Sequence, residues 1–367
     1  MTSPGYPRGK TGNIKEKSNL AVDLVSWYRV HHRRLPWRAP PGQPQDPYRA
    51  WLAEVMLQQT TVITVTPYYQ RFLDRWPDVH GLAAAAESDV LAAWAGLGYY
   101  SRARNLHRCA QTVSKKYKGI FPNKIKELED LPGIGPYTSA ALYALAFGGR
   151  VVPVDGNIER VMARLYTLPA PPATIKPDIK ALAQKALDAA PNVFPGDYAQ
   201  ALMDLGATIC TPRTPNCKIC PVARYCKASA ENRALDFPVA SPKKTKPERS
   251  GIVYILKDRN GAVLGERRPD QGLFAGMIGL PTTGWDGNPD PYTQLLENAP
   301  KLRHIGDVRH SFTHFDLTLK IMAGDFSGRR PAGTQWVPWH DMGTIGLPKL
   351  FAKVIDRVNT VTRTKKA

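Results

Sequence analysis

The stretch CTPRTPNCKICPVARYC, residues 210–226, holds four of the five cysteines of this 367-residue chain. They are Cys210, Cys217, Cys220 and Cys226, spaced C-x6-C-x2-C-x5-C. Four clustered thiols must ligate something, because unpaired they would repel and oxidise. Zinc and an iron–sulfur cluster both accept four thiolates. Zinc modules commonly use two C-x2-C pairs, and here there is one, with outer spacings of six and five. The spacing favours a cluster, with zinc second and a disulfide pair third. Pro212 and Pro215 stiffen the intervening loop and Arg213 stands at its tip, with Lys218 and Arg224 nearby. A loop tied at both ends can hold Arg213 against a phosphate, although solvated charge is the plainer reading. Cys109 stands apart and reads as an ordinary buried thiol.

Two carboxylates occupy unusual settings. In DPYRAWLAEVMLQQTTV, Asp46 reads as an N-cap and Pro47 as the first helical residue. Glu54 then falls among Leu52, Val55, Met56 and Leu57. On a buried helix face its pKa would rise, which suits a general acid. A solvent-facing Glu on an amphipathic helix is equally open. In VVPVDGNIERVMARLY, Asp155 ends an apolar run and precedes a helix carrying Arg160 and Arg164. It could simply cap that helix. One acid held protonated beside one held ionised is what glycosidic cleavage needs.

A third stretch, LPGIGPYTSAALYALAFG (131–148), sets Gly133 and Gly135 around one apolar residue ahead of a helix. Glycine permits close backbone approach, and a helix start offers N–H groups to an anion. The preceding KELED closes a helix, so the unit, about 125–147, reads as helix–hairpin–helix, suited to non-sequence-specific binding of the DNA backbone.

The elements that must position these residues divide the chain. Residues 1–18 read as a disordered tail. Residues 19–236 form an all-α domain of amphipathic, alanine-rich helices broken by Pro and Gly. Residues 237–250, FPVASPKKTKPERS, read as a linker. In 251–360 the period changes to two. Asn260-Gly261 marks a hairpin, Phe315, Leu317, Leu319 and Ile321 share one strand face, and LPKLFAKVIDRV closes the domain as a helix. Residues 361–367 are a basic tail. The fold class is therefore multi-domain, all-α followed by α+β. Lys and Arg number 50 against 31 acids, a formal charge of +19, which indicates a polyanion partner. No run is long enough to span a bilayer, and no signal peptide is evident, so nucleic acid is the expected partner and a reducing compartment the expected setting.

Together these motifs closely resemble the MutY-type adenine DNA glycosylases of the endonuclease III superfamily. The resemblance rests on LPWR (35–38), WLAEVMLQQT (51–60), GLGYYSRARNL (96–106), LPGIGPYTSAA (131–141), VDGNIERVMARL (154–165), residues 201–226 and SFTHF (311–315). It implies a [4Fe–4S] cluster on Cys210, Cys217, Cys220 and Cys226, and sets zinc aside. It implies a base-excision repair enzyme that flips adenine out of duplex DNA opposite 8-oxoguanine or guanine and hydrolyses its glycosidic bond, preventing G:C to T:A changes. By resemblance Glu54 protonates the adenine and Asp155 supports the oxocarbenium-like sugar. Tyr137 stands where bifunctional relatives carry a catalytic lysine, which implies a monofunctional enzyme. Leu57, Gln59, Tyr99, Gly133, Gly135 and Arg213 are expected at the DNA, and Trp37 and Arg38 in the adenine pocket.

The C-terminal part resembles the family's MutT-like (Nudix-like) module. It lacks the glutamate-rich metal-binding run of the hydrolases of that fold, so its expected role is to recognise 8-oxoguanine through Phe312, Thr313 and His314. The family loop usually reads Phe-Ser-His, so Thr313 is a departure. The insert APPGQPQ (39–45) is another, with no assigned role. A monomeric, nucleoid-associated protein of the bacterial cytoplasm is expected. The alternatives are a thymine or uracil mismatch glycosylase of the same superfamily, which usually lacks the C-terminal module, and a non-catalytic DNA-binding protein with a redox-sensing cluster.

Overall fold

The structure is a computed structural model that describes residues 14–242, 245–269, 272–285, 302–343 and 345–364. Most of the expected N-terminal tail (1–13) and the end of the basic tail (365–367) lie outside these. The described residues divide into two compact units, 14–84 with 108–242, and 85–107 with those from 245 to 364.

The first unit is helical. Along the chain run α1 (Ile14–His31), α2 (Pro47–Leu57), α3 (Val62–Arg75) and α4 (Val79–Ala84). Then come α5 (Glu87–Trp94) in the second unit and α6 (Ser101–Lys116), whose residues are divided between the two. α7 (Ile125–Glu129), α8 (Pro136–Phe147), α9 (Gly156–Tyr166), α10 (Lys176–Asp188), α11 (Pro195–Thr208) and α12 (Lys227–Ala230) follow. Local chemistry starts and stops these helices. Asp46 caps α2 by accepting from Arg49 N at 2.8 Å, with Pro47 in the first turn. Gly148 ends α8 at φ +64°, a conformation that costs glycine nothing. One core gathers Leu24, Tyr28, Ile158, Met162, Ile179 and Leu202 from α1, α9, α10 and α11. α2 buries Trp51, Leu52 and Met56 and packs on α3 and α8. Each such side chain contributes about 1.5–3 kcal/mol by leaving water.

In the second unit, strands β1 (Glu248–Lys257), β2 (Val263–Arg267), β3 (Ile278–Gly279), β4 (Arg303–Ser311), β5 (Asp316–Asp325) and β6 (Thr334–Val337) form one mixed sheet. The order is β3-β2-β1-β5-β4, with β6 pairing β2. β1 runs parallel to β5, and the other pairings are antiparallel. Phe315, Leu317, Leu319 and Ile321 are buried on one face with Val308 and with Phe351 and Val354 of the closing helix, Lys349–Thr364. The β1–β2 turn spans Asp258–Ala262. Asp258 Oδ1 accepts from Asn260 N and Ala262 N, and Gly261 takes φ +78°.

Three boundaries differ from the sequence reading. Helix α1 takes in residues 14–18, assigned above to the tail, because IKEKS contains no Pro or Gly to break a helix. β1 begins at Glu248, inside the expected linker, because Glu248, Arg249 and Ser250 pair with Asp316, Leu317 and Thr318 of β5. Residues 85–107 group with the second unit rather than with the helical domain. There the Arg104 guanidinium donates to the carbonyl of Ala275.

Candidate active site

Glu54 lies on α2 with buried Ala53, Val55 and Met56 beside it. Burial raises its pKa from 4.5 to about 7. A hydrogen bond from Tyr137 and the charge of Arg38 oppose that rise, while the charge of Asp155 adds to it. The side chain keeps partial access to solvent, so the acid is enclosed without being sealed off. Tyr137 enters from the first turn of α8, directly after Pro136. Burial, the charges of Glu54 and Asp155, and the hydrogen bond to Glu54 hold its phenol well above the ordinary range. The phenol therefore stays protonated and donates to Glu54.

Asp155 caps α9. Its Oδ1 accepts from Ile158 N at 2.8 Å and its Oδ2 from Asn157 Nδ2 at 2.8 Å. The approach to it is pinned. The Arg150 guanidinium reaches four carbonyls at and beyond the end of α10, Leu187 at 2.6 Å among them. Gln184 accepts from Val152 N and donates to Arg150 O, as a neighbouring strand would. The structure thus brings Glu54, Tyr137 and Asp155 together within the first unit, from three helices far apart in sequence.

Sequence reasoning missed Asp204 of α11. Its side chain is fully buried and holds both Arg33 and Arg38. Arg33 donates from its backbone N at 2.9 Å and from Nε at 2.5 Å, and Arg38 donates in a two-pronged fork at 2.7 and 2.8 Å. Burial alone would raise the Asp204 pKa, but Arg38 and then Arg33 more than offset this and hold it below the usual range. Arg38 is expected in the pocket, and its charge does reach Glu54. Trp37 is buried edge-on against Tyr69, ring centroids 5.3 Å apart. No local signal could have found Asp204, because its partners are 166 and 171 residues away.

Cys210, Cys217, Cys220 and Cys226 line one small cavity and form no disulfide. Among the described residues no group of three or more His, Cys, Asp or Glu is arranged to hold a metal ion. Beside the cavity sits Arg164, buried at 2% exposure. It donates to Cys210 Sγ at 3.2 Å and to the carbonyls of Cys210, Thr211, Pro212 and Phe237. No carboxylate among the described residues pairs with it, an arrangement that leaves a buried cation in want of an anion. Arg160 links the cavity wall to Asn157, the partner of Asp155. It donates to Cys210 O at 2.8 Å, Gly206 O at 2.7 Å and Asn157 Oδ1 at 2.9 Å.

The residues expected at DNA fall in both units. In the first, α7 and α8 flank the turn with Gly133 (φ +77°) and Gly135, both exposed. Leu57 ends α2 and Gln59 follows it, exposed at φ +56°. Gln58 ties this end to α8 through Thr138 at 3.3 Å. Arg213 is exposed on the cysteine loop. In the second, Tyr99 is half exposed at φ +47°, and its hydroxyl lies 3.5 Å from that of Thr313. Phe312 packs its ring on Phe315, His310 and Trp285, while Thr313 and His314 stay exposed. The loop is anchored by its phenylalanine and offers the next two side chains outward.

Residues 52–190 match the family of the HhH-GPD superfamily base excision DNA repair protein, and residues 252–357 match the NUDIX domain. The chain is 32% identical to the adenine DNA glycosylase of Homo sapiens over 93% of its own length and 74% of that protein. It is 35% identical to the adenine DNA glycosylase of Buchnera aphidicola subsp. Acyrthosiphon pisum over 80% and 83%. A solved thermostable thymine-DNA glycosylase is similar at TM-score 0.52 and 28% identity, covering 59% of this chain and 98% of its own. An endonuclease III trapped on DNA shares the fold at TM-score 0.50 and 20% identity, covering 60% and 99%.

Proposed function

This chain belongs to the adenine DNA glycosylase family, and we propose which of its residues carry the reaction and which adenines it selects. It is a base-excision repair hydrolase that binds DNA and cleaves the N-glycosidic bond of adenine. The preferred substrate is adenine opposite 8-oxoguanine, with adenine opposite guanine second. The observation that carries the reading is the enclosed Glu54, hydrogen-bonded by Tyr137 and close enough to Asp155 for that charge to add to its raised pKa of about 7.

With a pKa near 7, Glu54 still carries its proton in a large fraction of molecules near neutrality and can deliver it to a ring nitrogen of an extruded adenine. The C1′–N bond then breaks with its electron pair leaving on a neutral base. Asp155, fixed by Ile158 N and Asn157, stabilises the positive sugar. Water adds at C1′ and returns a proton to the ionised Glu54. Tyr137 holds the Glu54 carboxyl by its hydrogen bond. A protonated phenol has no amine with which to form a Schiff base, so the enzyme is monofunctional. The exposed pair Thr313 and His314, beside Tyr99, reads 8-oxoguanine, and threonine keeps the hydroxyl that serine would supply.

Cys210, Cys217, Cys220 and Cys226 hold a [4Fe–4S] cluster. Four thiols lining one cavity, spaced C-x6-C-x2-C-x5-C with one C-x2-C pair where zinc modules commonly use two, support an iron–sulfur cluster over zinc. The Arg164 guanidinium, which no carboxylate among the described residues pairs, suits an anionic group there. When bound, the cluster supplies a rigid anionic anchor for the loop bearing Arg213. The charge of +19 supports association with the nucleoid.

The test is a set of duplexes with A, T or U opposite guanine or 8-oxoguanine, incubated with protein and then alkali. Scission at A-containing mispairs alone, fastest opposite 8-oxoguanine, is expected. Cleavage at T or U, or equal rates opposite guanine and 8-oxoguanine, would contradict the proposed selectivity.

A further inference from the structure

Three buried polar side chains form a stripe along α11. Asp197, Gln200 and Asp204 are spaced i, i+3 and i+7, which puts them on one helix face. Their exposures are 1%, 5% and 0%. Buried polar groups are costly unless hydrogen-bonded, and each of these holds a different point of residues 33–45. Asp204 holds Arg33 and Arg38 as described. Gln200 Oε1 accepts from Gln45 Nε2 at 3.2 Å, and Gln45 N donates to Leu145 O at 2.9 Å. Asp197 presents both oxygens to Gly42 N, at 3.0 and 2.9 Å. Burial raises the Asp197 pKa, and the Gly42 N–H offsets part of that.

The insert at 39–45 is therefore far from a slack surface loop. Gly42 takes φ +82°, Gln43 N closes a turn on Pro40 O at 3.2 Å, and Pro40, Pro41 and Pro44 narrow its freedom further. We propose that this insert is a clasp, gripped by Asp197 and Gln200 so that the backbone leaving Trp37 and Arg38 has one position. Asp197, Gln200 and Gly42 are then positioning residues for the adenine pocket, touching no substrate themselves. The inference rests on the reading of Trp37 and Arg38 as pocket residues. A pocket arginine that shifts by about an ångström no longer presents adenine correctly, and such shifts cost up to about 10²-fold in rate.

The experiment measures single-turnover adenine excision, duplex affinity and thermal midpoint on the full chain. The variants are Asp197→Ala, Asp197→Asn, Gly42→Ala and Arg38→Ala. Asp197→Ala should slow excision by about 10–100-fold while changing duplex affinity by no more than about twofold. Asp197→Asn keeps one acceptor oxygen for Gly42 N and should recover most of the rate. No atom lies within 4 Å of a Cβ built on Gly42, so Gly42→Ala leaves the packing alone and strains only the clasp. It should slow excision too, with affinity unchanged. Wild-type rates in Asp197→Ala and Gly42→Ala overturn the clasp. So does a parallel loss of midpoint, affinity and rate in Asp197→Ala with a wild-type rate in Gly42→Ala, because Asp197 then serves folding alone. A wild-type rate in Arg38→Ala sinks the pocket reading instead.

Discussion

Asn157 donates from Nδ2 to Oδ2 of Asp155 at 2.8 Å. The other end of the same amide accepts from Arg160, which also donates to the carbonyl of Cys210. One unbroken run of hydrogen bonds thus joins the Asp155 carboxylate to the wall of the cysteine cavity. Asn157→Ala should free the Asp155 carboxylate to rotate. Single-turnover excision is expected to fall by at least about tenfold, the size of effect that loss of orientation produces. Duplex affinity should hold, because phosphate contacts are untouched. An unchanged rate would show that Ile158 N alone suffices.

Glu54→Gln keeps the shape of the side chain and removes its acidity. Excision should fall by about 10²–10⁴-fold, the usual contribution of a positioned acid, with binding to the A-containing mispair retained. Residual excision near the wild-type rate would transfer the acid's role to another group.

The pH dependence follows from the same residue. Glu54 has its folded pKa raised from 4.5 to about 7. Its proton is held below about 7 and lost above it, so the excision rate should decline as pH rises through that value. Stability follows in the same direction. The folded chain binds this proton more tightly than the unfolded chain, so its contribution is full below 4.5 and is lost by about 7. Glu54→Gln should therefore gain stability relative to wild type above neutrality. Rate profiles and denaturant midpoints at pH 5 and pH 8 check both signs.

Thr313→Ala should narrow the preference for 8-oxoguanine over guanine opposite adenine by several-fold, a loss of about 1 kcal/mol of hydrogen bonding. Excision of adenine opposite guanine should be nearly unchanged. Equal effects on both substrates would point to loop folding rather than recognition.

The purified protein should carry iron and sulfide and show a broad absorbance shoulder near the visible–violet boundary. Cys217→Ser should lose that shoulder and weaken duplex binding. Zinc in place of iron, at full occupancy and with activity intact, would overturn the cluster assignment.

Much of the fold was legible because its signals are local. The Asp46–Pro47 start of α2, the Asn260-Gly261 turn and the alternation of Phe315, Leu317, Leu319 and Ile321 each lie within a few residues. The four cysteines are legible as one ligand set by spacing alone, and they line one cavity. What stayed hidden depends on distant partners. Asp204 in LMDLG looks like any helical acid until Arg33 and Arg38 fold back onto it. Arg164 reads as one more surface cation until burial leaves it five acceptors and, among the described residues, no carboxylate. β1 was shortened in the reading because Glu248, Arg249 and Ser250 look like linker until β5 supplies their backbone partners.

The grouping of residues 85–107 with 243–367 bears on how this protein could be re-engineered. Tyr99 meets Thr313, and Arg104 grips the carbonyl of Ala275, so a piece of the N-terminal half is wedded to the C-terminal module. A chimaera that swaps in a relative's residues from 243 onward would leave those two side chains facing a foreign surface. Transplanting both segments as a set keeps the seam intact.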